Sequence, residues 1–216
     1  MIKKLMLLFA IFFCIGGISF ADVLPRYSYN IRYTGIGAFN VPEEFTVYSE
    51  PDETSQVLDV ISRDSKGLTD KTRKENDIFV AFLPKKNIAY CAVDDEIDGW
   101  VKIYYSQKTG STGWVKTTPT NRFISWLGFY MLLGRKHGIY LFKDMPQVNK
   151  RVMSAPDANS QKIAEFIYPK FIKLTLVRGN WMLVKILDIG DTVHVGWLQW
   201  RDENGKFMAF PDLNKN

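Results

Sequence analysis

One ten-residue segment of this chain occurs twice, and this duplication constrains the fold more than any other feature of the sequence. Residues 47–56, VYSEPDETSQ, recur as residues 152–161, VMSAPDANSQ, with six identical positions at a constant offset of 105 residues. Further along, each copy has a tryptophan at the start of a β-rich run and a Gly-Trp pair near its end. These residues are Trp100 with Gly113 and Trp114 in the first copy, and Trp181 with Gly196 and Trp197 in the second. A repeat of this kind indicates two copies of one small β-module, which favours binding over catalysis.

The first 21 residues have the pattern of a secretory signal peptide. Two lysines precede an unbroken apolar run from Leu5 to Phe13, and Ser19 and Ala21 provide small residues before a cleavage point. We therefore predict a signal peptide over residues 1–21 and an exported mature chain, either periplasmic or at the cell surface or secreted. An uncleaved membrane anchor is the alternative, although the apolar segment is short for a span. No stable membrane span is expected after cleavage.

Charge is distributed unevenly between the two halves of the predicted mature chain. Residues 22–118 contain 12 basic and 15 acidic residues, a net charge of −3, whereas residues 119–216 contain 14 basic and 8 acidic residues, a net charge of +6. The basic half suits a polyanion such as a cell-wall polymer or an anionic membrane. The alternative is a solvated basic face with no specific partner. No nucleic-acid partner is expected.

Catalytic chemistry has little support in the sequence. The mature chain would retain only Cys91, which excludes an internal disulfide. We interpret Cys91 as a small packing residue in a strand, although our alignment of the copies matches it to Thr175, an outward-facing position that would favour reactivity. The only histidines, His137 and His194, belong to different predicted units. Because nucleophile, base and orienting group do not come together, we predict a non-enzyme with no catalytic residues.

Metal or cofactor binding is not expected either. No closely spaced cysteines or histidines suit zinc. The acidic run at residues 94–98 could attract calcium, but it lacks the spacing of a calcium loop and is better interpreted as a solvated turn. No glycine-rich phosphate-binding motif is present.

The chain divides into a lead-in at residues 22–35, a first module at 36–118, a connector at 119–137 and a second module at 138–216. The first module carries an insert of about twenty residues by our alignment; its charged part, residues 63–77, is predicted to be a mobile loop. In the second module, alternation predicts a strand with Ile172, Leu174 and Leu176 on one face.

The connector contains a strongly apolar run from Phe123 to Leu133. Asn121 can serve as an N-cap and Gly134 can follow the last turn, so the pattern predicts a short helix. Its apolar residues cover more than one face, which favours a helix packed between the two modules. A membrane-surface segment is the alternative, but it would need a more charged opposite face.

The repeated pattern resembles bacterial SH3-like domains. The resemblance lies in the turn with the pattern Ser-x-Pro-Asp-x-x-Ser, the strand opening Trp-Val-Lys-Ile at Trp100 and the closing Gly-Trp-Val at Gly113, and it covers about residues 36–118 and 138–202. It implies an all-β fold of two tandem SH3-like small barrels joined by the short connector. It also implies a binding role at the cell envelope, where several such domains recognise peptidoglycan. Fold alone does not fix function.

The candidate ligand-binding residues are aromatic side chains that would flank the groove of an SH3-like module, together with one arginine. Aromatic faces stack on sugar rings or prolines, and Tyr and Trp keep a polar group. For any single one of them, packing in the core is at least as probable as ligand contact. The candidates are Trp100, Tyr104, Tyr105, Trp181, Trp200 and Arg201.

Three functions remain open at this stage. The first is an envelope binding module for a cell-wall glycan, its peptide stem or an anionic wall polymer. The second is an adaptor that binds an envelope protein, such as a hydrolase or a secretion component. The third is an enzyme with an unrecognised active site. Sedimentation with cell-wall sacculi distinguishes the first from the second, and loss of activity on changing Cys91 or a histidine would identify the third. The sequence leaves the oligomeric state open.

Overall fold

The computed structural model describes residues 26–27, 31–142, 145–166 and 169–213. The predicted signal peptide lies outside the described residues. The strands are β1 (Arg26–Tyr27), β2 (Gly37–Val41), β3 (Glu44–Tyr48), β4 (Val57–Asp64), β5 (Gly67–Leu68), β6 (Ala81–Leu83), β7 (Ile88–Ile97), β8 (Trp100–Ser106), β9 (Ser111–Lys116), β10 (Phe123–Ser125), β11 (Ile139–Leu141), β12 (Arg151–Met153), β13 (Lys162–Glu165), β14 (Pro169–Arg178), β15 (Trp181–Asp188), β16 (Val193–Gln199) and β17 (Ala209–Pro211). The predicted all-β class is confirmed.

Helical segments are short. Helix α1 spans Glu75–Ile78, and 3-10 turns span Pro84–Lys86 and Gln147–Asn149. The connector forms one continuous helical segment from α2 (Trp126–Phe129) through a π-helical stretch (Tyr130–Gly134) to α3 (Arg135–His137). Within the part of the chain that the structure describes, no helix combines the length and apolar character needed to cross a membrane.

Both halves contain five antiparallel strands in the same order. In the first half the order is β4-β3-β9-β8-β7, within a ten-stranded sheet that β1, β2, β5, β6 and β10 extend. In the second half the order is β13-β12-β16-β15-β14, which forms a complete five-stranded sheet. Strands β11 and β17 form a separate two-stranded sheet. The duplication seen in the sequence is therefore also a duplication of strand topology.

A β-bulge changes which residues of β14 face the core. The register with β15 shifts between Leu174 and Leu176, and a matching shift separates Val93 from Asp95 in β7. Ile172 and Leu174 are buried, but Leu176 is 36% exposed, so the prediction that all three share one face is wrong. An extra residue at the bulge reverses the alternation beyond it, and alternation in the sequence does not reveal this.

The hairpin registers also correct the alignment around Cys91. Ile97 lies opposite Trp100, and Arg178 lies opposite Trp181, so β7 and β14 correspond at an offset of 81 residues. Cys91 is therefore the counterpart of Ile172, not of Thr175. Both residues are buried in the cores of their modules.

The charged segment over residues 63–77, predicted as a loop, contains regular structure at both ends, since β4 extends to Asp64, β5 spans Gly67–Leu68 and α1 begins at Glu75. Arg63 is 5% exposed, and its guanidinium donates to the carbonyl of Val41 at 2.8 Å and to the side-chain oxygen of Asn87 at 2.8 Å. Leu68 is buried in β5, and α1 closes the segment. The charge of this segment suggested solvent exposure. A buried arginine is tolerated, however, where carbonyl oxygens accept hydrogen bonds from its guanidinium.

The connector helix begins and ends at residues other than those predicted. Ser125, not Asn121, is its N-cap, and its hydroxyl accepts the backbone N–H of Gly128 at 3.2 Å. Gly134 has helical dihedral angles inside the helix, and the segment ends at Gly138, where φ is 86°. Gly138 tolerates this angle because it has no Cβ.

Aromatic residues of the connector helix contact residues of both halves. Trp126 donates its indole N–H to the carbonyl of Thr34 at 2.7 Å, and its ring lies 4.8 Å from that of Phe207. Phe129 contacts Tyr90 of the first half at 5.1 Å and Phe210 of the last strand at 5.3 Å. The helix lies between the modules, and a single buried cluster extends from β2 to β17.

Candidate functional site

The duplicated ten-residue segment folds into the same turn in both copies. Ser49 donates its backbone N–H to the carbonyl of Gln56, as Ser154 does to Gln161, both at 2.9 Å. In each copy the second serine of the motif closes the turn with its hydroxyl, which donates to a backbone carbonyl at 3.1 Å. The identity between the copies is thus explained by turn geometry. These serines and aspartates build the frame of the site and need not contact a ligand.

The Gly-Trp pairs are repeated because two strands cross closely there. A Cβ on Gly113 would lie 2.4 Å from Cγ1 of Val47, and one on Gly196 would lie 2.6 Å from Cγ1 of Val152. Only glycine fits such an approach. It sets the position of the following tryptophan and of the strand-opening tryptophan across the sheet.

The strand-opening tryptophans occupy equivalent, half-buried positions. Trp100 lies opposite Lys116, and Trp181 lies opposite Gln199. Trp100 contacts Tyr48 of the repeated segment, and Trp181 lines a cavity together with Met153 and Ala158 of the second copy of that segment. The residues around the two rings differ, and this difference decides which groove is open.

In the first copy an aromatic contact and an ion pair lie beside the strand-opening tryptophan. The Tyr48 ring meets the Trp100 ring edge-on at a centroid distance of 5.7 Å. Lys116, directly opposite Trp100, forms an ion pair with Glu53 of the turn at 2.9 Å. This ion pair links the last strand of the module to the repeated turn.

In the second copy the same place is open. The counterparts of Tyr48, Glu53 and Lys116 are Met153, Ala158 and Gln199, which cannot form the aromatic contact or the ion pair. A cavity of about 120 Å³ lies beside Trp181. We call it the Trp181 groove, and it is lined by Val148, Asn149, Arg151, Met153, Ala158, Trp181 and Gln199.

One carboxylate controls the charge beside the Trp181 groove. Glu165 lies 3.7 Å from Nε of Arg151 and 3.1 Å from Nζ of Lys162. Its pKa is held below the ordinary value of 4.5, first by the hydrogen bond from Gln147 and then by that from Lys162. Arg151 and Lys162 thus share one carboxylate, and Arg151 is the charged residue among those that line the groove.

The predicted residues Tyr104 and Tyr105 lie in the first module, away from the Trp181 groove. Tyr104 stacks on Tyr33 with centroids 5.3 Å apart and donates its hydroxyl to Asp94. Burial, followed by the hydrogen bond to Asp94, raises the pKa of Tyr104 to about 12. Tyr105 packs against the first module's own core. The structure does not bring them together with the tryptophans of the second copy.

Trp200 and Arg201 have structural contacts. Trp200 is 2% exposed, donates its indole N–H to the carbonyl of Gly179 at 3.0 Å and lies 4.3 Å from the Tyr130 ring. The Arg201 guanidinium lies 4.9 Å from the Trp200 ring centroid, and its Nε donates to the side-chain oxygen of Asn180. A buried Trp200 cannot flank a ligand groove, so this position was assigned wrongly from the sequence.

A larger cleft lies in the first module, and sequence reasoning missed it. It has a volume of about 620 Å³ and is formed by the β7–β8 turn and the chain that leaves β9. We call it the Thr117 cleft. Its lining comprises Glu96, Ile97, Asp98, Gly99, Thr117, Thr118, Pro119, Arg122 and Phe123. The sequence shows only an apolar Ile97 next to the Asp98-Gly99 turn, which does not distinguish a cleft from a packed position.

Residues capable of nucleophilic or acid–base chemistry lie apart in the fold. Cys91 is fully buried, and burial raises the pKa of its thiol, which disfavours the reactive thiolate. His194 is paired with Asp188 at 3.0 Å at the tip of the β15–β16 hairpin. Among the residues described here, no group of three or more His, Cys, Asp and Glu side chains has an arrangement that could hold a metal ion.

Comparison with known proteins does not identify a family for this chain. No protein-family model matches this chain, and no curated protein is significantly similar to it.

Proposed function

We propose that this chain is a non-catalytic binding protein of the bacterial cell envelope, built from two SH3-like modules, which recognises peptidoglycan or an anionic wall polymer at the Trp181 groove. The shared five-strand order and the shared turn support the assignment of the modules. The observation that carries the proposal is the cavity beside Trp181, at a place where the first copy has an aromatic contact and an ion pair instead.

The chemistry of the Trp181 groove suits a polar polymer with apolar ring faces. The half-exposed Trp181 ring offers a stacking surface, and the amides of Asn149 and Gln199 can donate and accept hydrogen bonds. Arg151 adds a planar cation that recognises carboxylate or phosphate groups. This combination fits a sugar or stem-peptide group that carries an anionic substituent.

The size of the cavity favours a polymer over a free small molecule. Its volume of about 120 Å³ is below the range of about 300–1,000 Å³ that is typical of sites for whole small molecules. One side group of a repeating chain would fit, with neighbouring units lying along the exposed surface. Such a site is weak for each unit and gains strength from many units on one surface.

The proposal is tested by co-sedimentation of residues 22–216 with purified sacculi across a salt series. We expect binding that persists at high salt and that falls about tenfold in Trp181→Ala, as the loss of one stacking contact implies. Trp100→Ala is the matched control, because Tyr48 already covers that ring, and it should bind like the wild type. Binding that disappears at high salt would show that the interaction is only electrostatic attraction and not recognition by the groove.

The same experiment separates the wall-binding proposal from an adaptor function. If the chain does not sediment with sacculi even at low salt, the wall-binding proposal fails. Affinity purification with envelope extracts is then the next step. Equal loss in Trp100→Ala and Trp181→Ala would contradict the choice of the second copy as the binding module.

A further inference from the structure

The Thr117 cleft occupies a place in the first module that the second module fills with its own side chain. Thr117 and Trp200 are counterparts, three residues after the Trp of each Gly-Trp pair. Their backbones make the same contact: Thr117 donates its N–H to the carbonyl of Gly99 at 2.9 Å, and Trp200 donates to that of Asn180 at 3.0 Å. Gly99 and Asn180 immediately precede the two strand-opening tryptophans.

In the second module this place is occupied by the side chains of two consecutive residues, the aromatic Trp200 and the cationic Arg201. The Trp200 indole lies against the β14–β15 turn and donates to the carbonyl of Gly179, and the Arg201 guanidinium covers the ring at 4.9 Å. The side chain of Asn180, in the same turn, accepts a hydrogen bond from Arg201. The second module therefore shows which groups fit this position, namely an aromatic ring followed by a cationic side chain.

In the first module a threonine replaces the tryptophan, and the space remains as a cleft. Its apolar walls are Ile97, which is 43% exposed, Pro119 and Phe123. Asp98 is the counterpart of Gly179, so the carbonyl that accepts the indole N–H in the second module has its equivalent here. The cleft volume of about 620 Å³ lies within the range of sites that enclose a ligand group.

The acidic residues of the Thr117 cleft favour a cationic group next to the aromatic ring of a ligand. Glu96 and Asp98 line the cleft, and Asp95 is exposed beside them. Residues 22–118 carry a net charge of −3, which favours a cationic partner over an anionic one. Arg122 also lines the cleft, and its guanidinium can donate hydrogen bonds to a carbonyl or carboxylate oxygen of the same ligand.

We propose that the Thr117 cleft binds a peptide segment of a partner protein in which an aromatic side chain is followed by a basic residue. The aromatic ring enters between Ile97 and Phe123 and takes the place that Trp200 takes in the second module. The basic residue meets Glu96 and Asp98. This site is separate from the Trp181 groove and does not depend on the proposed function.

The test is a titration of ¹⁵N-labelled residues 22–216 with the peptide acetyl-Gly-Trp-Arg-Gly-amide, followed by backbone amide shifts. We expect saturable shifts at Ile97, Gly99 and Thr118, with a Kd on the order of 1 mM, as suits one buried ring. The Trp181→Ala variant should bind the peptide equally well, which separates this outcome from failure of the groove proposal. Absence of saturable shifts at the cleft would overturn the inference.

Two further peptides and two variants sharpen the result. Acetyl-Gly-Ala-Arg-Gly-amide should not bind, and equal binding by it would show simple charge attraction and overturn the proposal. Thr117→Trp should fill the cleft from within and abolish binding while leaving the remaining amide spectrum in place; retained binding would contradict the assigned position. Glu96→Gln with Asp98→Asn should weaken the Trp-Arg peptide about threefold to tenfold and leave acetyl-Gly-Trp-Gln-Gly-amide unchanged. If the charge change has no selective effect, the cationic part of the proposal is wrong.

Discussion

The rings of Tyr130 and Trp200 lie 4.3 Å apart and tilted at 42°, and this contact attaches the connector helix to the second module. Tyr130 is fully buried and donates its hydroxyl to the carbonyl of Ala209. The indole of Trp200 is anchored at its other edge by the carbonyl of Gly179. Each ring thus has both an apolar neighbour and a partner for its polar atom, the arrangement that stabilises buried Tyr and Trp.

Removal of Trp200 should destabilise the whole chain. We expect Trp200→Ala to lower the free energy of unfolding by about 3–5 kcal/mol, because it leaves a large cavity beside Tyr130. Equilibrium denaturation with urea measures the change. Leu132→Ala is the control. Leu132 lies on the connector helix near Tyr130 but is 62% exposed, so its replacement should alter stability little. Similar losses in the two variants would contradict the role assigned to Trp200.

The glycines of the Gly-Trp pairs should resist substitution. Gly196→Ala would place a Cβ 2.7 Å from the carbonyl oxygen of Met153, and Gly113→Ala would place one 2.4 Å from Val47. We expect each change to cost about 2 kcal/mol or more, because the Met153 carbonyl is backbone that cannot rotate away and the Val47 side chain is fully buried, with little room to move. At Gly190 a Cβ meets nothing closer than 3.5 Å, so Gly190→Ala should be tolerated. Thermal unfolding of the three variants checks this order.

The serine that closes each repeated turn should contribute equally in the two copies. Ser55 and Ser160 each accept a backbone N–H and donate to a backbone carbonyl five residues earlier. We expect Ser55→Ala and Ser160→Ala to lower stability by about 1 kcal/mol each. Chemical denaturation of both variants provides the measurement. A large difference between them would show that the two turns are not equivalent in energy.

The carboxyl group beside the Trp181 groove should titrate at a pH set by its neighbours. The folded-state pKa of Glu165 lies below 4.5, so its hydrogen bonds stabilise the fold above the unfolded-state pKa, and this contribution disappears as the pH falls through the folded-state pKa. Gln147→Leu removes the largest cause and should raise the pKa of Glu165 towards 4.5. Carboxyl ¹³C shifts measure this pKa. Lys185→Gln is the control, and an unchanged pKa in Gln147→Leu would contradict the assigned cause.

Cys91 should be protected in the native protein. Its side chain is fully buried and burial raises the pKa of its thiol, so we expect no reaction with a thiol-specific disulfide reagent at neutral pH on the timescale of minutes. The same reagent should react with one thiol per chain after residues 22–216 are unfolded in guanidinium. Rapid native labelling would show that β7 opens readily.

The sequence predicted the parts of the fold that depend on local pattern. The strands around the repeated turns, the apolar helix after residue 123 and the matched positions of Trp100 and Trp181 are all present. What it missed depends on contacts between distant residues. Arg63 reads as a solvent-exposed charge until the carbonyl of Val41 is placed beside it.

The candidate site shows the same division. Trp100 and Trp181 have identical sequence signals, yet one ring has Tyr48 edge-on against it, with a Lys–Glu ion pair at the opposite strand, and the other borders a cavity. Trp200 follows the last strand like a rim residue, but Tyr130, 70 positions earlier in the chain, buries it. The Thr117 cleft becomes visible only when the two copies are aligned through their strand registers. The alignment shows that the first copy has Thr117 where the second copy has the large side chain of Trp200.

The return of the last strand to the connector has a consequence for the order of folding. Strand β17 pairs with β11 immediately after the helix, and Phe207 and Phe210 surround Trp126. The aromatic face of the helix therefore stays uncovered until residues 207–211 have been synthesised. The buried cluster of the first module contains none of these residues and can form earlier, whereas the helix and the second module complete their shared packing only when residues 207–211 arrive.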